Sequence, residues 1–219
     1  MDPKRLHILS QTPSLANHFI SELRDVTVQK DSLRFRRNLE RLGEVMAYKI
    51  SETLPFEEKP IQTPLAHTRQ TLLQEFPVLA TVLRAGLPFH QGFMNYFDQA
   101  TCAFVGAYRV EGDGKRQLAV HLDYLAAPNL QGKTLILVDP MLATGKSLVL
   151  TYRDLLRFGT PKRLIIAAII ASPEGVAHIE AEIPEVELWL GALDERLNEQ
   201  AYIVPGLGDA GDLAFGAKQ

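Results

Sequence analysis

Residues 139–147 read Asp139-Pro140-Met141-Leu142-Ala143-Thr144-Gly145-Lys146-Ser147, directly behind the apolar run Leu135-Ile136-Leu137-Val138. A buried strand that passes through a small-residue loop into a helix leaves unpaired backbone N–H groups at the helix start. Those groups, with the helix dipole, favour a phosphate. Thr144 and Ser147 can add hydroxyl donors. Asp139, an acid at the strand tip, suits different chemistry. It can accept hydrogen bonds from the 2′- and 3′-hydroxyls of a ribose whose 5′-phosphate the loop holds. Two other readings stay open on these residues alone. Gly145-Lys146-Ser147 also ends a G-x-x-x-x-G-K-[ST] motif, although Pro140 stands where its first glycine belongs. An ordinary ligand-free corner, with Asp or Thr as a helix cap, has the same composition.

A second stretch, from Tyr202 to Asp212, carries Gly206, Gly208 and Gly211 in a G-x-G-x-x-G pattern. Only eight residues follow Gly211, too few for the βαβ unit of a dinucleotide site. The glycines instead permit a tight loop whose main chain can approach a flat ligand and read the edge of a base. Arg84 and Arg109 each follow an apolar run. A planar fork of donors there suits phosphate oxygens, with structural ion pairing as the competing use. No side chain stands out as a nucleophile or general base. The six histidines, at positions 7, 18, 67, 90, 121 and 178, have no metal-ligand spacing, and Cys102 and Trp189 read as packing residues.

These groups need a frame. Short, unalternating apolar runs at 78–83, 102–108, 135–138, 164–171 and 186–190 are separated by segments of helical length at 86–99, 147–158 and 174–182. That pattern predicts parallel strands buried on both faces, and such sheets place ligands at the carboxyl ends of their strands. Upstream, Leu15, Phe19 and Leu23 recur at helical spacing, as do Phe35, Leu39, Leu42 and Met46. Asp31-Ser32 supplies an N-cap and Leu54-Pro55 a stop. Residues 55–70 read as a polar connection. Leu118, Val120 and Leu122 alternate with Ala119, His121 and Asp123, which predicts an exposed two-stranded arm over 118–128. The expectation is a single α/β domain over 1–219: a helical N-terminal segment at 1–70, a parallel-sheet core at 77–219 and a protruding β-arm.

Composition excludes several classes. With 46% hydrophobic and 22% charged residues among 219, the chain can bury a core without staples and does not read as disordered. A net charge of -3 does not fit a generic polyanion binder, so no nucleic-acid partner is expected. A single cysteine excludes an intrachain disulfide and a Cys-rich zinc site. The apolar run 164–171 is far short of the roughly 20 residues of a membrane span, and no apolar targeting segment follows Met1-Asp2-Pro3-Lys4-Arg5. We expect a cytoplasmic protein with no membrane partner.

Taken together, Val82-Leu83-Arg84-Ala85-Gly86, Gly106-Ala107-Tyr108-Arg109, residues 138–147, Ala171-Ser172-Pro173-Glu174-Gly175 and residues 202–216 resemble, in order and spacing, the uracil phosphoribosyltransferases, a type I phosphoribosyltransferase family. The resemblance implies the α/β parallel-sheet phosphoribosyltransferase fold. It implies conversion of uracil and 5-phospho-α-D-ribose 1-diphosphate (PRPP) to UMP and diphosphate in pyrimidine salvage, with Mg2+ as cofactor. Residue by residue, it places Arg84 and Arg109 on the diphosphate and Asp139 on the ribose. It places Ala143, Thr144, Gly145 and Ser147 on the 5′-phosphate, with Pro140, Met141, Leu142 and Lys146 beside them in the PRPP site. Asp209 falls beside PRPP and its magnesium, and Ile203, Gly208, Asp209 and Ala210 border uracil. A non-proline cis peptide beside Arg84 belongs to the same pattern. So do a homodimer or higher homo-oligomer and, in some members, GTP as an effector near N-terminal basic residues.

Three positions depart from the family pattern. Lys146 stands where a second glycine is usual, Leu213 where Arg or Lys is usual, and the 118–128 arm lacks the usual tyrosine and lysine. They motivate a second expectation: a catalytically weakened paralogue that binds PRPP or UMP as a regulator.

Overall fold

The computed structural model describes residues 5–110 and 119–217, and the side chains of 107–123 lie outside that description. The chain forms β1 (Leu6–Ile8), α1 (Leu15–Arg24), α2 (Ser32–Ser51), β2 (Phe56–Gln62), β3 (His67–Leu73), β4 (Val78–Leu83) and α3 (Gly86–Tyr96). It continues with β5 (Thr101–Val110), β6 (Ala119–Ala126), β7 (Thr134–Val138), β8 (Met141–Leu142), α4 (Lys146–Leu155), β9 (Arg163–Ala171) and α5 (Pro173–Glu182). Last come β10 (Glu187–Leu193), β11 (Arg196–Leu197), β12 (Ile203–Val204) and α6 (Ala210–Phe215). Eight strands make one sheet in the order β1-β10-β9-β7-β4-β5-β6, with β8 beside β9. Only the β5–β6 pair in it is antiparallel.

The apolar runs are unalternating because both sheet faces are covered. Ile165, Ala167 and Ile169 of β9 join the core under α1, α2, α3 and α6. Leu164, Ile166 and Ala168 face the other core, built with Leu148 and Val149 of α4 and Val176 and Ile179 of α5. The two-residue period slips at Ile169-Ile170, where the Pro140 carbonyl accepts from both backbone N–H groups at 3.1 Å. That stitch bends the chain after β7 back onto β9 and starts the loop that follows.

Three elements differ from expectation. Residues 55–70, expected as a polar connection, form most of the β2–β3 hairpin, with Phe56 opposite Leu73 and Gln62 opposite His67. Its faces are nearly all solvated, so no apolar alternation marks it. The 1–70 segment is therefore not purely helical, since β1 also joins the main sheet beside β10. The alternating 119–126 residues are an edge strand of the main sheet, paired with β5 from Phe104 to Val110. Residues 111–118, where the expected arm would turn, lie outside the described residues. On α1 the buried stripe is Ala16, Ile20 and Leu23, while Leu15 is 69% exposed. Among the described residues, no helix is long and apolar enough to cross a membrane.

Candidate active site

The carboxyl ends of β4 and β7 and the loop before α6 open onto one cleft of about 250 Å³. Its floor is the loop after β7. Asp139 is tied in place by its own N–H to the Ala167 carbonyl, and its Oδ1 accepts from the Met141 N–H at 3.1 Å. β8 then runs beside β9, and Ala143, Thr144 and Gly145 lead into α4. Gly145 has φ +74°, a left-handed conformation that glycine adopts without Cβ strain. It offers no side-chain cap; the Lys146 N–H donates to Thr144 Oγ1 at 3.5 Å, and helix starts of this kind suit an anion.

Helix α5 holds this loop from behind. Ser172 caps α5: its Oγ accepts from the Gly175 N–H at 2.9 Å and donates to the Ala143 carbonyl at 2.7 Å. A Cβ on Gly175 would lie 2.2 Å from that same carbonyl oxygen, so only glycine allows the approach.

Arg84 forms the opposite wall at the β4 tip, and the Leu83–Arg84 peptide is cis. Its guanidinium reaches the Gly216 carbonyl at 3.2 Å and Asp212 at 3.5 Å, with both side chains about two-fifths exposed. An exposed pair this long is worth at most about 1 kcal/mol, so a multiply charged diphosphate can displace it. Asp209 closes the third side as the N-cap of α6, its Oδ1 accepting from the Asp212 N–H at 3.0 Å.

The cleft thus brings together Arg84, Asp139, Met141, Leu142, Ala143, Thr144, Gly145, Ser147, Asp209 and Ala210. Pro140, Lys146, Ile203 and Gly208 do not line it. Pro140 is buried against β9, and Ile203 is buried where β12 pairs with β11. Lys146 is the exposed first residue of α4, in ordinary helical backbone, because the left-handed position falls on Gly145 instead. Leu213, within α6, is half-buried and packs against the core. Arg109 is the penultimate residue of β5, toward the same carboxyl end of the sheet as Arg84, but its side chain lies outside the described residues.

Seven lining residues have no site role in the sequence reading: Val82, Leu83, Ala85, Leu148 and Gly211, each within two positions of an assigned residue, and the pair Ala201 and Tyr202. Asn198 places that pair: its Oδ1 accepts from the N–H groups of Gln200 and Tyr202 at 3.0 and 2.8 Å, an Asx-type turn. That asparagine is the signal that could have found the pair. The basic residues of α2 are engaged internally: Arg34 with Glu22, Arg37 with Glu40, and Arg36 with the Ala214 carbonyl. Among the described residues, no group of three or more His, Cys, Asp or Glu converges to hold a metal.

A helix start behind a small-residue loop, a carboxylate at the adjoining strand tip and a facing guanidinium, on a mainly parallel sheet covered on both faces, form the arrangement expected of a phosphoribosyltransferase. The uracil phosphoribosyltransferase family model matches residues 9–217, and the chain belongs to that family. It is 52% identical over 206 residues to a Porphyromonas gingivalis uracil phosphoribosyltransferase, covering 94% of this chain and 95% of the relative. It is 39% identical over 201 residues to the Thermococcus gammatolerans uracil phosphoribosyltransferase, covering 90% and 88%. A solved structure of an Aquifex aeolicus protein superposes with a TM-score of 0.86 at 34% identity, covering 96% of this chain and 98% of that one.

Proposed function

We propose that the protein transfers the phosphoribosyl group of PRPP to uracil, releasing diphosphate and forming UMP, as a cytoplasmic enzyme of pyrimidine salvage. The observation that carries this reading is the convergence of Arg84, Asp139, the Ala143–Ser147 corner and Asp209-Ala210 on one cleft. A ring nitrogen of uracil bonds to C1′ as the C1′–O bond to diphosphate breaks, and the nitrogen's proton leaves to solvent. Among the described lining residues no side chain stands out as a nucleophile, so rate comes from alignment and from neutralising the leaving group. The α4 start holds the 5′-phosphate, with Thr144 and Ser147 adding hydroxyls. Asp139 orients the ribose, Arg84 and Arg109 take the diphosphate, and the main chain at Asp209-Ala210 borders uracil.

Asp139 and Asp209 border the same cleft, and their hard oxygens suit Mg2+ brought in with the diphosphate rather than held by a protein cage. The ion would supply charge neutralisation to the leaving group. Purified protein given uracil, PRPP and Mg2+ forms UMP if the reading is right. Ligand binding without turnover would favour the regulator instead.

Asp139→Asn is expected to lower kcat/KM for PRPP roughly tenfold or more, because the amide loses one acceptor for the ribose. Rates near wild type in that variant would remove Asp139 from the site. Self-association belongs to the same reading. Among the described residues the β2–β3 hairpin forms a two-stranded sheet of its own, and it exposes Phe56, Leu72 and, at 96%, Leu65. An isolated hairpin is marginal in water, and a second copy of the chain would cover it. Sedimentation velocity should therefore show a dimer or larger, and a monomer at all concentrations would contradict it.

A further inference from the structure

Asp194 follows the tip of β10 and is only 8% exposed, yet it is ionisable. Its carboxylate meets the fork of Arg24, the last residue of α1, with Nη1–Oδ2 at 2.8 Å and Nη2–Oδ1 at 2.5 Å. The same pair grips Gly206. The Gly206 N–H donates to Asp194 Oδ2 at 2.9 Å, and Arg24 Nη1 donates to the Gly206 carbonyl at 2.9 Å. The N–H belongs to the peptide plane before Gly206 and the carbonyl to the plane after it. The ion pair therefore fixes both planes around a glycine with φ +64°, otherwise the softest joint of the loop. Gln29 adds a third hold, donating to the Leu207 carbonyl at 3.3 Å.

A buried ion pair is poor material for stability alone, since its desolvation cost is commonly as large as its attraction. Its geometry here serves a different end. Two to four residues beyond Gly206 lie Gly208, Asp209 and Ala210, and the last two line the cleft. Asp194 also donates its N–H to the Ala171 carbonyl at 2.8 Å, next to the Ser172 that braces the phosphate loop. We propose that Arg24 and Asp194 are positioning residues that set the base-reading loop against the phosphate loop, so that affinity for uracil is controlled from the N-terminal helical segment. This rests on the uracil reading above.

The test uses Asp194→Asn and the milder Arg24→Lys, which keeps the charge and loses the fork. Steady-state kinetics should show KM for uracil raised roughly tenfold in Asp194→Asn and less in Arg24→Lys, with KM for PRPP within about twofold. Without any substrate, hydrogen exchange at Gly206 and Gly208 should quicken in both variants. Unchanged exchange, an unchanged uracil KM, or equal rises in both KM values would overturn the clamp. If Asp194→Asn does not fold, Arg24→Lys decides on the same readings. A wild-type protein without turnover would instead sink the uracil reading, and the exchange measurement would still judge the clamp.

Discussion

Gly175→Ala should lower turnover roughly a hundredfold. The added Cβ would sit 2.2 Å from the Ala143 carbonyl oxygen and 2.8 Å from that of Leu142, both backbone atoms that cannot rotate aside. Relief needs α5 and the phosphate loop to part by about an ångström, since real carbon–oxygen contacts lie near the van der Waals distance. The Ser172 hydroxyl that bridges α5 to the Ala143 carbonyl at 2.7 Å would be broken by the same movement. Ala143, Thr144 and Gly145 all line the cleft, so the displacement falls on the groups proposed to hold the 5′-phosphate. Steady-state kinetics with varied PRPP, beside a thermal melt showing the variant folded, checks this. A folded variant with kcat/KM for PRPP near wild type would mean that α5 does not set the loop.

Legibility in the sequence followed how local each cause was. The β4 strand is readable to the residue, Val78 to Leu83, because burial on both faces leaves a run between Pro77 and Arg84 that is apolar except for Thr81. The Asp31 cap of α2 is readable because an acid three residues before a backbone donor is a local device; its side chain accepts from the Arg34 N–H. The hairpin β2–β3 was not readable, since its strands bury almost nothing and so carry no period. The site divides the same way. Asp139, Thr144, Gly145 and Arg84 declare themselves by residue type just beyond apolar runs. What holds them does not: Gly175 matters only because Ala143 lies against it, and Arg24 meets Asp194 across 170 positions of chain. Lys146 shows the converse error, in which a motif position looks disruptive until the backbone assigns the left-handed conformation to Gly145.

His90 should make the fold sensitive to mild acid. It lies in the second turn of α3, wholly buried, with its ring edge-on to Phe104 at 5.2 Å. Neither ring nitrogen has a hydrogen-bond partner in good geometry. Burial pushes its pKa down from 6.5 to about 4, and a backbone interaction with Leu79 opposes this only in part. The folded protein thus keeps His90 neutral while the unfolded chain protonates it near 6.5. Above 6.5 neither state binds the proton and nothing is lost. Between 6.5 and 4 the unfolded state binds it first, so stability falls as pH falls and levels off below 4. At about pH 5 the loss from this one residue is about 2 kcal/mol, and it approaches about 3 kcal/mol below pH 4. Glu22, held down to about 2 by Arg34 first and Asn38 next, loses its contribution as pH falls from 4.5 through about 2, below the pH at which the two proteins are compared. Urea unfolding of wild type and His90→Phe at about pH 8 and about pH 5, at one protein concentration, isolates the effect. The wild type should lose about 2 kcal/mol more than the variant between those two conditions. Equal losses would mean that His90 is protonated in the folded state and finds a partner there.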